Sequence, residues 1–265
     1  MDYIHSNQKA WEEAFDNRYA GWHADLVSRL HAETLPFLSP MLRQAILAMD
    51  LRGKTVAQLC CNNGREILSI VQHGAASGVG FDIAENMVAF AREAAEAAGI
   101  PCAFQACNVL EIGPRYTAAF DVVVFTIGAI TWFHDLHALF AVAARCLRPG
   151  GTLVLNDFHP FVNMLPLPEE ETFDPGDLNR VTYSYFRTEP WLEQNSGMYM
   201  TNHQNTATFT SFSHTMGAII SAVASAGLRV VSLAESDQDI GMTDVYEGKG
   251  MPLSYLLLAE KPANM

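Results

Sequence analysis

Basic residues are scarce in this chain. Lysine and arginine number 16 against 29 aspartates and glutamates, for a formal net charge of −13. A free acidic surface repels phosphate backbones, so no nucleic-acid partner is expected. Long apolar runs are also lacking. None reaches the roughly 20 residues of a membrane span, so no membrane partner is expected either. The opening stretch, Met1 to Phe15, is polar and acidic, unlike a secretory leader. Cysteines are few and odd in number, at five: Cys60, Cys61, Cys102, Cys107 and Cys146. Their spacing is not a zinc pattern, and no metal is expected. They lie in or beside apolar runs, which suits small buried groups rather than disulfides and points to the cytoplasm. No repeat and no low-complexity tract interrupts the sequence.

What remains is apolar and alternating. Of 265 residues, 49% are hydrophobic, enough for one large α/β domain with decorations. The organising stretch is Thr55 to Asp82. An apolar run, Val56 to Cys60, reads as a buried strand. The turn Cys61-Asn62-Asn63-Gly64 follows, then Ile67, Leu68 and Val71 at helical spacing, then a second strand from Ser77 to Asp82. A ligand above such a unit meets backbone N–H groups at the turn and a carboxylate suited to a ribose diol.

Before it, residues 1–50 read as helices: one around Trp11 to Tyr19, one over Ala24–Thr34, one over Pro40–Met49 with proline at its start. After it come a helix over Glu85–Ala98 and strands at Cys102–Ala106 and Phe120–Thr126. A helix over Leu136–Leu147 and a strand at Thr152–Asn156 follow. This alternation calls for a parallel sheet with helices on both faces. Between Asp157 and Ser211 five prolines break the pattern. Val181–Arg187 and Met198–Thr210 there alternate and read as antiparallel strands. So long an excursion reads as a lid or binding loop. A helix over Ser213–Ala226 and strands at Arg229–Glu235 and Ser254–Lys261 close the chain.

The ordered set Cys60-Cys61-Asn62-Asn63-Gly64, Gly80-Phe81-Asp82, Cys107-Asn108-Val109, Phe120-Asp121-Val122-Val123 and Arg148-Pro149-Gly150-Gly151 resembles the class I S-adenosylmethionine-dependent methyltransferases of the small-molecule type. The resemblance covers roughly residues 50–160 and the terminal helix–strand–strand. It implies a doubly wound, seven-stranded Rossmann-like sheet with its last strand antiparallel. Residues 1–50 become a helical lid on a domain spanning 51–265, with a β-rich insertion at 157–211 over the ligand edge. It implies S-adenosylmethionine as cofactor, methyl transfer to an N, O or C nucleophile of a small molecule, and a monomer or homodimer. The first motif departs from the family's form. Gln58 replaces the usual acid, and Cys60 and Asn62 replace two glycines. Asn is the residue after glycine that best tolerates the left-handed region, so the turn is expected to survive.

By the same resemblance the cofactor is held by Cys60, Cys61, Asn62, Asn63, Gly64, Asp82, Ile83, Asn108, Val109, Thr126, Ile127 and Gly128. Asp82 would take the ribose hydroxyls, or cap the next helix, or both. Asn108 would face adenine or serve as a turn residue. Asp157 and His159, two apart on an extended chain, point the same way and suit a general base oriented by a carboxylate. Tyr19, Trp22, Trp132, His134, Tyr183, Trp191 and His214 are candidates for the acceptor pocket. For the aromatics among them, core packing is the competing reading. Two other functions compete. A nicotinamide oxidoreductase wants G-x-G-x-x-G, where this turn offers one glycine. A protein that binds the sulfonium without transferring its methyl is compatible with the same motifs.

Overall fold

The computed structural model describes residues 3–263 apart from 196 and 198. Three helices open the chain: α1 (Tyr3–Asp16), α2 (Leu26–Ala32) and α3 (Pro40–Leu47). Helix α3 starts as its sequence dictates, with Pro40 in the first turn and the Ser39 hydroxyl accepting from the Leu42 N–H at 3.2 Å. Helix α2 is shorter than its periodicity suggests. His23 sits at φ 54° before it, and Glu33 is already extended after it.

The alternating region then gives β1 (Thr55–Leu59), α4 (Arg65–Gln72), β2 (Ser77–Asp82), α5 (Glu85–Ala98), β3 (Cys102–Ala106), β4 (Phe120–Phe125), α6 (Leu136–Cys146) and β5 (Leu147–Phe158). The last elements are a ribbon of β6 (Trp191–Glu193) and β7 (Phe209–Ser211), then α7 (Met216–Ser225), β8 (Arg229–Ser236) and β9 (Ser254–Glu260). Seven strands form one sheet in the order β3-β2-β1-β4-β5-β9-β8. Strands β1 to β5 run parallel, and β9 runs antiparallel to both β5 and β8. This is the doubly wound architecture that the alternation implies.

The two faces follow from the strand period of two. Val123 and Phe125 of β4 join Ala57 and Leu59 in a core under α6 and α7. Val122 and Val124 join Val56 in a second core under α3, α4 and α5. Each face buries its own set, which is why β4 reads as an unbroken β-branched run.

The insertion differs from expectation. Val181–Arg187 forms turns, not a strand, and between Tyr199 and Thr208 the chain is irregular; Met198 lies outside the described residues. Among the described residues of the insertion, only the three-residue strands β6 and β7 pair. The cause is where the backbone finds partners. The amides of Thr182 and Tyr183 both donate to the Met164 carbonyl, closing a turn instead of a ladder. Those of Thr206 and Ala207 donate to the Glu13 carboxylate of α1. The insertion also divides. Its first part packs Val162 and Leu165 against Tyr246, Met251 and Leu253 of the β8–β9 connection, and the Tyr246 hydroxyl donates to the Pro166 carbonyl at 2.5 Å. Its second part returns to α1.

Candidate functional site

The loop between β1 and α4 holds three left-handed residues in alternation: Cys60 at φ 60°, Asn62 at 51° and Gly64 at 78°. These are the positions where the family pattern has glycine, so the turn keeps its shape without two of the three. Only Gly64 has a steric need as well, since a Cβ there would lie 2.6 Å from the Phe104 ring. Gln58 takes the acid's place by bridging. Its amide nitrogen donates to the Thr126 hydroxyl at 2.8 Å, and its oxygen accepts from the Ile67 N–H at 3.0 Å. Thr126 accepts from Gln58 and keeps its own O–H to donate. The Cys61 side chain is turned into the core beneath the loop, so cofactor contact there falls to its backbone. Burial pushes the Cys60 and Cys61 thiols well above their ordinary range, keeping both neutral. Asn63 is fully buried, and its side-chain nitrogen finds no acceptor among the described residues.

Asp82 ends β2 beside this loop. One carboxylate oxygen accepts from the Asn62 N–H at 2.7 Å, the other from the Ala84 N–H at 3.1 Å. Burial raises its pKa, and the amide donors oppose that rise. The acid does not cap α5, whose N-cap is Ala84 without a side-chain bond. A carboxylate has about four acceptor sites, so two amides leave room for a diol. Nearby, Ile83, Cys107 and Asn108 face Ile4 and Gln8 of α1 across a cavity of about 280 Å³. Asn108 caps the next turn, its oxygen accepting from the Leu110 N–H at 3.0 Å, which leaves its amide N–H groups to a ligand. The Val109 side chain is buried in the core and offers only backbone. Ile83 and Asn108 line this cavity with Glu85 and Glu111, and the oriented Asp82 immediately precedes Ile83; an acid, an apolar side chain and an amide donor at one sheet edge suit a nucleoside, so the residues present fit S-adenosylmethionine.

The loop after β4 is fixed from β5. Asp157 accepts from the Gly128 N–H at 2.5 Å, the Phe158 N–H at 2.8 Å and the Ile130 N–H at 3.4 Å. Gly128 is left-handed at φ 75°, and a Cβ there would meet nothing within 4 Å. Gly128 thus borders open space beyond the end of β4, with the half-buried Ile127 beside it. Burial pushes the Asp157 carboxyl up to about 6 against the pull of these amides.

The expected pairing of Asp157 with His159 is not what the hydrogen bonds give. The His159 Nδ1 accepts from the Phe161 N–H at 3.0 Å, which leaves its Nε2 to donate to Glu235 at 2.8 Å. Both ring nitrogens are engaged, and burial lowers the ring's pKa against the Glu235 contact. The chain turns after Phe158, so the i, i+2 alignment of an extended strand is lost at His159.

The acceptor candidates divide. Trp132 packs edge-on against Trp11 with centroids 5.2 Å apart and also meets Phe209. Trp22 packs on Phe15 and Tyr199. Both pack, with Trp11, on a cluster formed by Phe15, Met87, Met200 and Phe209, as the core-packing reading expects. Tyr19 lies at the margin, its amide donating to the Met200 carbonyl and its ring 46% exposed. His134 and His214 line a separate cavity of about 290 Å³ at the starts of α6 and α7. Tyr183 and Trp191 pack on each other, and their polar atoms go to Glu170 and Ser213, so both hold the insertion together.

Sequence reasoning missed the seam between α1 and the insertion. The Asn7 side chain exchanges two hydrogen bonds with the Thr210 backbone, at 2.9 and 2.7 Å. The Asn205 side chain donates to the Ala10 carbonyl at 2.6 Å, and Glu13 accepts from Thr206, Ala207 and His203. These partners lie nearly 200 residues apart, and no local pattern announces them.

A family model described as "Methyltransferase domain" matches residues 56–151. A curated relative, the demethylmenaquinone methyltransferase of Thermus thermophilus, is 33% identical over 120 residues, 44% of this chain and 54% of that protein. The chain thus matches about half the length of that relative. Among solved structures, an S-adenosylmethionine-dependent methyltransferase of Mesorhizobium loti aligns at TM-score 0.62 and 20% identity over 87% of this chain and 99% of that one. Another from Listeria monocytogenes aligns at TM-score 0.61 and 19% identity over 91% and 99%. The geranyl diphosphate C-methyltransferase of Streptomyces coelicolor aligns at TM-score 0.62 and 13% identity over 98% of each chain. At these identities the structures speak to the fold. The family match places a methyltransferase domain over residues 56–151, and the fold of the chain is the one shared with S-adenosylmethionine-dependent methyltransferases.

Proposed function

We propose that the protein transfers a methyl group from S-adenosylmethionine to a nucleophile of a small, largely apolar molecule. The observation that carries the reading is the joined pair of cofactor loops. Cys60, Asn62 and Gly64 keep the left-handed alternation, and the Asn62 N–H fixes the Asp82 carboxylate. Asp82 would receive the ribose hydroxyls, with Ile83 and Asn108 against the base and the backbone of residues 60–64 along the methionine chain. When bound, the cofactor supplies an electrophilic methyl for in-line displacement. The protein's part is alignment and the exclusion of water. Asp157 holds the 126–130 loop, which would be one border of the reaction space, and the packed Trp11, Trp22 and Trp132 would wall the other side. Alignment of this kind is worth about 7–11 kcal/mol, so the reaction needs little else where the nucleophile carries no acidic proton. His159 has no free lone pair for a general base in this arrangement, and its role in the proposal is to tie β5 to Glu235 of β8.

The apolar character of the acceptor rests on those tryptophans. It agrees in kind with relatives named for demethylmenaquinone and geranyl diphosphate. Residues 1–50 and the second half of the insertion would form the cover. The test is incubation of the protein with a metabolite extract and methyl-labelled cofactor, followed by mass spectrometry. A labelled apolar product is expected. Binding of the cofactor without any labelled product would sink the transfer reading and leave a sulfonium-binding protein.

A further inference from the structure

The substitution of asparagine for glycine in the cofactor loop has a structural return. Asn62 occupies a left-handed position, φ 51°, that costs a side-chain-bearing residue and that glycine would fill without strain. Its backbone N–H and both side-chain polar atoms are used. The backbone N–H goes to Asp82 at 2.7 Å, the side-chain oxygen accepts from the Asn63 N–H at 2.7 Å, and the side-chain nitrogen donates to the Tyr199 hydroxyl at 2.8 Å. Tyr199 belongs to the covering segment, 137 residues away, and its ring stands 6.4 Å from Trp11 and 6.3 Å from Trp22. Its hydroxyl accepts from Asn62, and no described residue accepts its proton.

We propose that Asn62 is a positioning residue that latches Tyr199 to the cofactor loop, so that a filled loop fixes the Tyr199 hydroxyl as a hydrogen-bond donor to the methyl acceptor. The inference rests on the methyl-transfer reading and adds a chemical demand: the acceptor carries an oxygen or nitrogen lone pair beside its apolar body. Tyr199 is a donor and not a base, because a phenol keeps its proton at neutral pH and this one already accepts from Asn62. One residue contacts both the ribose-binding acid and the pocket wall. Ordering of the loop by cofactor is therefore felt at Tyr199, and the cofactor should bind before the acceptor.

Hydrogen exchange with and without S-adenosylhomocysteine tests this on the full chain, alongside calorimetry for affinity. In the unmodified protein the ligand should slow exchange over residues 199–212. Tyr199→Phe should bind S-adenosylhomocysteine within about threefold of the unmodified protein yet lose most of that slowing, about 3- to 10-fold for one hydrogen bond. Asn62→Gly relieves the backbone and keeps the N–H toward Asp82. It should lose the same slowing, and its melting temperature will report whether it is folded. A merely structural Tyr199 would change exchange equally with and without ligand. The latch is overturned if both variants keep the ligand-dependent slowing, if the unmodified protein shows none, or if Tyr199→Phe weakens ligand binding tenfold. Failure of the unmodified protein to bind S-adenosylhomocysteine at all would instead bring down the methyl-transfer reading, and the latch with it.

Discussion

Asp157→Asn separates the charge of this side chain from its shape. The carboxylate is 3% exposed, and the ionised form persists because three backbone amides point at it. Burial nevertheless dominates and moves the pKa from the ordinary 3.8 to about 6. At 1.36 kcal/mol per pH unit that difference corresponds to roughly 3 kcal/mol. The sign follows from linkage. The native state holds its proton to higher pH than the unfolded state. The contribution to stability is therefore fully present below about pH 4, declines as pH rises toward 6, and stays lost above it. Asparagine cannot titrate. It keeps one oxygen for Gly128 and Phe158 but turns an N–H₂ toward Ile130, a fixed penalty of about 1–2 kcal/mol at every pH. The stability of the unmodified protein minus that of Asp157→Asn should thus fall by roughly 3 kcal/mol between pH 4 and pH 7. The variant should equal or exceed the parent at neutral pH. Urea unfolding at half-unit steps of pH measures the difference directly. A flat difference would mean that the carboxylate is hydrated, and that the loop after β4 is held by something other than this buried charge.

Three further outcomes follow from named contacts. Asp82→Ala should weaken S-adenosylhomocysteine binding by about 1.5–3 kcal/mol, the value of charge-assisted bonds to the ribose, and calorimetry on both proteins checks it. Glu13 works in the opposite sense to Asp157. Burial pushes its pKa up, but bonds from Thr206, His203 and Ala207 outweigh it and bring the pKa from 4.5 to about 2. Its contribution is present above about pH 4.5 and lost as pH falls toward 2, so Glu13→Gln should flatten the acid limb of a melting curve and loosen residues 203–207. Gly64→Ala faces both φ 78° and a Cβ 2.6 Å from Phe104, so a destabilisation of about 1–3 kcal/mol is expected in thermal unfolding, with cofactor binding weakened too. A neutral result would place the loop elsewhere than it stands here.

The sheet was legible because each of its signals is local. Val122 to Phe125 alternate between two cores, and that double burial is written as one β-branched run. The loop after β1 was legible in spite of two missing glycines, because Asn62 and Gly64 supply a left-handed alternation with Asp82 at the proper distance. The insertion was not. Its Thr, Tyr and Phe residues alternate as a strand would, yet strand propensity is a statement about neighbours, and the neighbours here are α1 side chains. Asn7 answers the backbone of Thr210 as a paired strand would, from a helix 203 residues earlier. Nothing in either segment alone encodes that match.

His159 and Asp157 show the same limit at the scale of two residues. Spacing i, i+2 aligns side chains only while the chain stays extended and both share a face. Asp157 is still paired in β5, and its carboxylate reaches sideways to β4's loop, which lies at the ligand edge. His159 has left the sheet for a short helical turn that its own Nδ1 caps, and its other nitrogen is taken by Glu235 on the outermost strand. A base needs a free lone pair within reach of the reacting proton, and this ring has given away both its positions. The carboxylate of the pair is thus tied to the loop after β4 rather than to the histidine. That assignment explains why a buried charge is tolerated at a position where a well-packed apolar side chain would be more stable. Without it, the Gly128 and Ile130 amides of the loop after β4 and the Phe158 amide of β5 would lose the acceptor they have here.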